Sequence, residues 1–193
     1  MRLTERADRL EAVVEQQAQG LSKEEQTELY DSHTDTWHAL KINFPARLYN
    51  SFLLTLCAWA EAELTSLCRF TERGAPDGIQ LKDISGNGLR RCQTFLKKVS
   101  RVDFPDTSAD WHRMLVLYEI RNSIAHTEGE STTLSKDAKA LLKAHGCLTK
   151  DALERVQLNA ALCEDAVDCA ERFFVRLGTK LPKEMQLWPE DTA

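Results

Sequence analysis

The chain contains 193 residues, of which 42% are hydrophobic and 28% are charged. That length and mixture are typical of one globular domain, and they exclude a collagen-like, low-complexity or largely disordered chain. The net charge of −5 argues against a protein that coats nucleic acid with its whole surface, although a local basic patch is compatible with it.

Two further exclusions concern metals and membranes. None of the six cysteines forms a CxxC pair, which disfavours a zinc site and favours buried free thiols. The N-terminus lacks the apolar run of a signal peptide, and the most apolar stretch, Ser51 to Cys68, carries Glu61 and Glu63 at its centre. We therefore expect a cytoplasmic protein with no membrane association, no metal and no cofactor.

Helical periodicity dominates the first part of the chain. Apolar residues spaced by three and four predict a short helix ending near Gly20, and a capping-box pattern from Ser22 predicts a second helix. Pro45 indicates a break or a first turn, after which a long helix is predicted from about Ala46 to Arg73-Gly74. Its inward stripe consists of Tyr49, Leu53, Leu56, Cys57, Ala60, Leu64, Leu67 and Cys68.

Two more helices are predicted in the middle of the chain. The Gly-rich link Ser85–Gly88 precedes a helix whose inward residues are Leu89, Cys92, Leu96 and Val99. Thr107–Asp110 is a second capping-box pattern, and it opens a helix for which Gly129 is the natural residue beyond the C-terminal cap.

The last part of the chain predicts a short helix capped by Ser135 and a final helical segment running from Leu153. That segment can break at residues 157–159, where Asn159 would cap a new helix. Without a convincing strand pair, we predict an all-α antiparallel helical bundle with short peripheral helices. Residues 1–40 are expected to pack on the bundle, 41–178 to form it, and 179–193 to be a tail.

The segment from Leu115 to Gly129 carries the chemistry. On a helix, Asn122 and His126 share nearly the same face, while Arg121 lies about 140° from His126 with a side chain long enough to curl back. A separate buried stripe is formed by Leu117, Ile120 and Ile124. Arg, Asn and His are thus presented together while another face anchors the helix.

These three side chains suit metal-independent cleavage of an RNA phosphodiester. An imidazole near a helix C-terminus can serve as a general acid, and a guanidinium fork can stabilise a phosphate that gains charge. The amide of Asn122 can orient a phosphate oxygen or the imidazole. Spacing alone does not distinguish this from an Arg and a His that only stabilise the end of a helix.

The same residues resemble the signature of the HEPN superfamily (higher eukaryotes and prokaryotes nucleotide-binding). That signature is an Arg, commonly followed by a polar residue, with a His after four to six intervening positions; Arg121-Asn122-x-x-x-His126 has four. Phe44–Ser51, Trp59–Leu64 with Leu67-Cys68, and Ala170–Phe174 are similar to the flanking helices of uncharacterised bacterial HEPN proteins. The resemblance covers roughly residues 40 to 178.

The resemblance implies a homodimer in which the helices bearing Arg121 and His126 face one another across a cleft. Many members are RNases, often toxins paired with an antitoxin protein, whereas others only bind nucleotides, RNA or proteins. Arg121, Asn122 and His126 carry over as catalytic residues. Glu61 carries over more weakly, as the acidic residue that the family often has on a neighbouring helix, and it can equally be a solvated or capped side chain.

A basic patch offers a place for RNA phosphates. Between Lys82 and Arg101 six basic residues face one acid, and Arg113 can extend the surface. The predicted RNA-binding residues are Arg90, Arg91, Lys97, Lys98 and Arg113, although a charge run is also typical of a solvated helix face. No aromatic RNA-recognition motif occurs, so no sequence readout of RNA or DNA is predicted.

Three hypotheses follow. The first is an endoribonuclease, such as the toxin of a toxin–antitoxin or defence system; the second is a non-catalytic module that binds RNA, a nucleotide or a protein; the third is a structural helical protein in which this helix is packed away.

Overall fold

The computed structural model describes residues 2–72, 78–149, 152 and 154–181, with the side chains of residues 2–4 excepted. The α-helices are α1 (Arg2–Ala18), α2 (Lys23–His38), α3 (Phe44–Glu72), α4 (Gly88–Lys98), α5 (Ala109–His126), α6 (Lys136–Ala144) and α7 (Ala160–Gly178). In this part of the chain, the extended pairing consists of two isolated bridges, Glu130 with Arg155 and Leu148 with Val156. The predicted all-α bundle is confirmed.

Side-chain caps set where most of these helices begin. Ser22 and Glu25 form the predicted capping box before α2, because each side chain bonds the other's backbone N–H at 3.3 and 2.8 Å. Ser135 and Asn159 cap α6 and α7 as predicted. The capping-box prediction from Thr107 was wrong by one residue: Ser108 is the cap, and its hydroxyl accepts the backbone N–H of Trp111, a residue with no carboxylate to return the bond.

Pro45 lies in the first turn of α3, one of the two predicted alternatives, and does not break the helix. A π-helical segment, Ala39–Asn43, joins α2 to α3, and the Phe44 N–H donates to the Ala39 carbonyl. Because proline has no N–H to donate, the change of hydrogen-bond register immediately before Pro45 lets the helix pass through it. The predicted end of α3 at Arg73-Gly74 lies outside the described residues, as do Leu153 and residues 182–193 of the predicted tail.

The core lies between α3, α4, α5, α6 and α7, and α5 packs mainly on α3, α6 and α7. Apolar residues occur on most sides of α5, as is typical of a central helix. Trp111 of α5 packs its ring 5.2 Å from that of Phe173 on α7 and 4.8 Å from that of Phe104. The inward stripes predicted for α3 and α4 are buried or packed against this core.

The cysteines belong to the same core. All six are free and buried, which confirms the prediction that they act as small apolar side chains. Burial is the main reason that the pKa of the Cys163 and Cys169 thiols rises to about 11.

The N-terminal helices contact mainly each other. α1 packs on α2 and on the π-helical segment, burying Ala7, Val14 and Ala18, whereas α2 buries no residue. The boundary near residue 40 remains a prediction. Among the described residues, no helix is long and apolar enough to cross a membrane.

Candidate functional site

The predicted site residues lie on the C-terminal half of α5. Leu117 and Ile120 are buried and Ile124 packs against the core, as predicted for the anchoring stripe. Asn122 is half-buried and His126 is exposed at the last residue of the helix. The helix ends because Glu128 and Gly129 both adopt positive φ, and the Gly129 N–H donates to the Ser123 carbonyl at 3.0 Å. Glu128, rather than Gly129, is therefore the first left-handed residue after the cap.

Arg121 is the best-positioned side chain of the site. Its Nη1 donates to Asn122 Oδ1 at 2.9 Å, and its guanidinium carbon lies 5.4 Å from the centre of the Tyr118 ring. Its Nε is buried, and within the described chain no acceptor satisfies it. The guanidinium thus curls towards Asn122 as predicted, and it retains an unused donor.

Glu61 of α3 joins this group through a residue that the sequence reasoning missed. The Tyr118 hydroxyl donates to Glu61 Oε2 at 2.5 Å. Burial, followed by this bond to the Glu61 carboxylate, raises the pKa of Tyr118 to about 12. Tyr118 stands three residues before Arg121, so the i, i+3 spacing on α5 is the signal that could have found it.

Gly88, the first residue of α4, packs against the Tyr118 phenol. Gly88 has φ +54°, and a Cβ built there would lie 2.7 Å from the Tyr118 hydroxyl oxygen. Cys57 of α3 is buried nearby, and its pKa rises to about 12, because of burial, against an opposing effect from Arg121. α3, α4 and α5 therefore meet at Tyr118, and their packing fixes the position of Glu61.

His126 stands apart from this group. Its ring makes no hydrogen bond within the part of the chain that the structure describes, and no bond joins it to Arg121 or Asn122. Its relation to Asn122 comes from the helix alone, since residues four apart lie on the same side.

The predicted basic patch is divided by the fold. Arg90 and Lys98 are exposed on α4, whereas Lys97 is ion-paired with Asp106. Arg91 is half-buried, and its Nε has no partner in the described chain. Arg113 turns to α7, where its Nη2 lies 3.2 Å from Asp165 Oδ2, so it does not extend the surface around Arg121.

The described residues contain no group of three or more His, Cys, Asp or Glu side chains that could hold a metal ion. Comparison with known proteins gives no match to a family model, to a curated protein or to a solved structure. The function must therefore be argued from the site.

Proposed function

We propose that this chain is a metal-independent endoribonuclease of the HEPN type, with Arg121, Asn122, His126 and Glu61 at its site. The observation that carries the proposal is the half-buried Arg121 guanidinium, which is held between Asn122 and the Tyr118 ring. Such a preorganised, partly desolvated donor suits a phosphate that gains negative charge.

The proposed reaction is an internal transesterification. The ribose 2′-oxygen forms a bond to the adjacent phosphorus while the bond to the 5′-oxygen of the next nucleotide breaks, leaving a 2′,3′-cyclic phosphate. The 2′-hydroxyl gives up its proton to a solvent water, and the departing 5′-oxygen takes one from the imidazolium of His126. Arg121 stabilises the charged phosphorane, and Asn122 orients one of its oxygens.

Glu61 has a positioning role in this proposal. Its carboxylate accepts the Tyr118 hydroxyl, and the Tyr118 ring in turn lies beside the guanidinium. The bond to Glu61 therefore holds the Tyr118 ring in place beside the Arg121 guanidinium, and neither Glu61 nor Tyr118 contacts the RNA.

A second candidate is a non-catalytic module that binds RNA through the same guanidinium. One observation favours it: nothing in the described chain orients the His126 ring, whereas a catalytic histidine is commonly held by a further hydrogen bond. Binding through Arg121 needs no such constraint.

The test uses purified protein, an RNA oligonucleotide and EDTA, with product ends identified by mass spectrometry. We expect cyclic phosphate ends and a loss of rate of about 10²–10⁴-fold in His126→Ala, as for removal of a general acid. His38→Ala is the matched control, because His38 is also an exposed histidine at the last residue of a helix, α2, and lies off the α5 surface.

The outcomes separate the two candidates. Equal cleavage by wild type and His126→Ala contradicts the nuclease proposal. Tight RNA binding without product, weakened by Arg121→Ala and unchanged by His126→Ala, favours the binding module instead.

The remaining partners stay predictions. On the outward side of α5, Glu119 already accepts the Ser135 N–H and hydroxyl at 2.5 and 2.7 Å, and its neighbours along the helix are His112, Leu115, Asn122 and His126. A homodimer across this mostly polar stripe, and an antitoxin protein, follow from the family resemblance alone.

A further inference from the structure

An apolar stripe runs along the exposed side of α3, opposite the core. Five large side chains on it are between 41% and 61% exposed: Phe44, Leu48, Phe52, Trp59 and Phe70. At 100° per residue they all lie within about 80° of one another around the helix. Half of the ten large hydrophobic residues that are exposed in the described chain therefore lie on one face of one helix.

Three small residues complete the stripe. Thr55, Ala62 and Ser66 are exposed on the same face, between the large side chains. From Leu48 to Ser66 the members follow each other at intervals of four and three residues, which is the spacing of a two-stranded coiled-coil seam. Within the protomer the Trp59 ring lies 5.1 Å from that of Phe174 on α7, yet the side chain stays 45% exposed, and the spacing of the stripe as a whole suits a second helix.

We propose that this stripe is the contact surface for a second copy of the same chain, paired antiparallel through α3. When a second copy of α3 runs antiparallel to the first and the two helices cross at position 57, every residue of the stripe lies opposite another residue of the stripe. The opposed pairs are Phe44 with Phe70, Leu48 with Ser66, Phe52 with Ala62, and Thr55 with Trp59.

The antiparallel register also places large side chains opposite small ones. Three of the four pairs set a large side chain against a small one, which lets two helices approach closely while the large side chains fill the seam. A two-fold interface requires such self-complementarity, because each residue meets its opposite twice. A stripe that bound an unrelated partner would not need large and small side chains to be matched symmetrically about its centre.

The apolar area is of the right order for a dimer. Five large side chains of about 200 Å² each, half exposed, present roughly 500 Å². Beside them Val167 of α7 lines a groove of about 460 Å³ with Leu48 and Phe52. Because roughly 56–65% of an interface is non-polar, about 500 Å² is the apolar share of the ~800 Å² per partner that a stable interface buries.

This pairing does not depend on RNA cleavage, and it is an alternative to the dimer across α5 that the family resemblance implies. The first measurement is the molar mass of the full chain by light scattering at tens of micromolar. We expect a dimer for wild type and a monomer for Ala62→Glu, because the carboxylate would be buried against Phe52 of the second copy. Ala62 is exposed, so the substitution leaves the folded protomer intact.

Ala140→Glu is the matched control, since Ala140 is an exposed alanine on α6. We expect it to remain dimeric, with both variants as helical as wild type by circular dichroism. If Ala62→Glu reduces folding, Ser66→Glu provides the same test against Leu48 of the second copy. A monomeric wild type, or a dimer that both variants retain, overturns the proposal.

The register has its own test. Spin labels at Ser66→Cys should be separated by about 27 Å along the helix axis in the dimer, and labels at Thr55→Cys by only about 6 Å, at 1.5 Å per residue from the centre. Equally short distances at both positions would indicate a parallel pair and refute the antiparallel register.

Discussion

Gly88→Ala measures how tightly the start of α4 fits against the Tyr118 phenol. Its Cβ would lie 2.7 Å from the Tyr118 hydroxyl oxygen and 3.1 Å from Cζ, and the backbone has φ +54°. A left-handed conformation costs an alanine about 1–2 kcal/mol. Displacing the phenol also breaks its bond to Glu61, which as a bond to a charged group contributes about 1.5–3 kcal/mol. We therefore expect the free energy of unfolding to fall by about 2.5–5 kcal/mol.

Tyr118→Phe separates these two contributions. It removes the oxygen that the new methyl group would meet first, and it removes the bond to Glu61 at the same time. When Gly88→Ala is combined with Tyr118→Phe, the glycine substitution should cost mainly the backbone strain of about 1–2 kcal/mol. The double variant should therefore be more stable than the sum of the single losses by about 1.5–3 kcal/mol.

The measurement is urea unfolding at neutral pH, followed by far-UV circular dichroism, for wild type, both single variants and the double variant. Additivity within about 0.5 kcal/mol would show that the methyl group and the phenol do not compete for space, and would refute this account of the contact.

Two further predictions concern stability. Asn159→Ala should lower the free energy of unfolding by about 2–3 kcal/mol, because the side chain caps α7 and its Nδ2 also donates to the His145 carbonyl at 2.7 Å. Asn159→Ser keeps a capping oxygen and sets no carboxylate against that carbonyl, so it should lose less; an equal loss in urea unfolding would contradict this. The pKa of Tyr118 is raised from 10 to about 12, so the stability that its protonated hydroxyl gives the fold is complete below pH 10 and is lost as the pH rises towards 12. The difference in free energy of unfolding between wild type and Tyr118→Phe should therefore shrink over that range, and a constant difference would contradict this.

Much of the fold followed from local signals in the sequence. Helix starts were readable because Ser22, Ser135 and Asn159 act through their own side chains on backbone groups three residues away. Pro45 was readable as a break or a first turn, and it lies in the first turn of α3; the π-helical register change that precedes it has no comparable local signal in the sequence.

The candidate site was only partly predictable. The proximity of Arg121 and Asn122 is a property of one helix, and the sequence indicated it. The Glu61–Tyr118 bond joins residues 57 positions apart, so it depends on how α3 and α5 pack. The contact of Tyr118 with Gly88 requires a third helix as well, and no periodicity within one segment could reveal it.

The two faces of α3 allow the proposed site and the proposed dimer to operate independently. Glu61 lies two residues after Trp59, about 160° away around the helix, so the carboxylate that holds Tyr118 points away from the apolar stripe. A dimer formed through the stripe leaves the Arg121 surface open to RNA on both copies. Pairing across α5 would instead bring the two Arg121 surfaces together, so that dimerisation and cleavage would be lost together. A monomeric Ala62→Glu that still cleaves RNA at the wild-type rate would show that the site works without pairing across α5, whereas loss of cleavage together with the dimer would contradict the independence of the two faces.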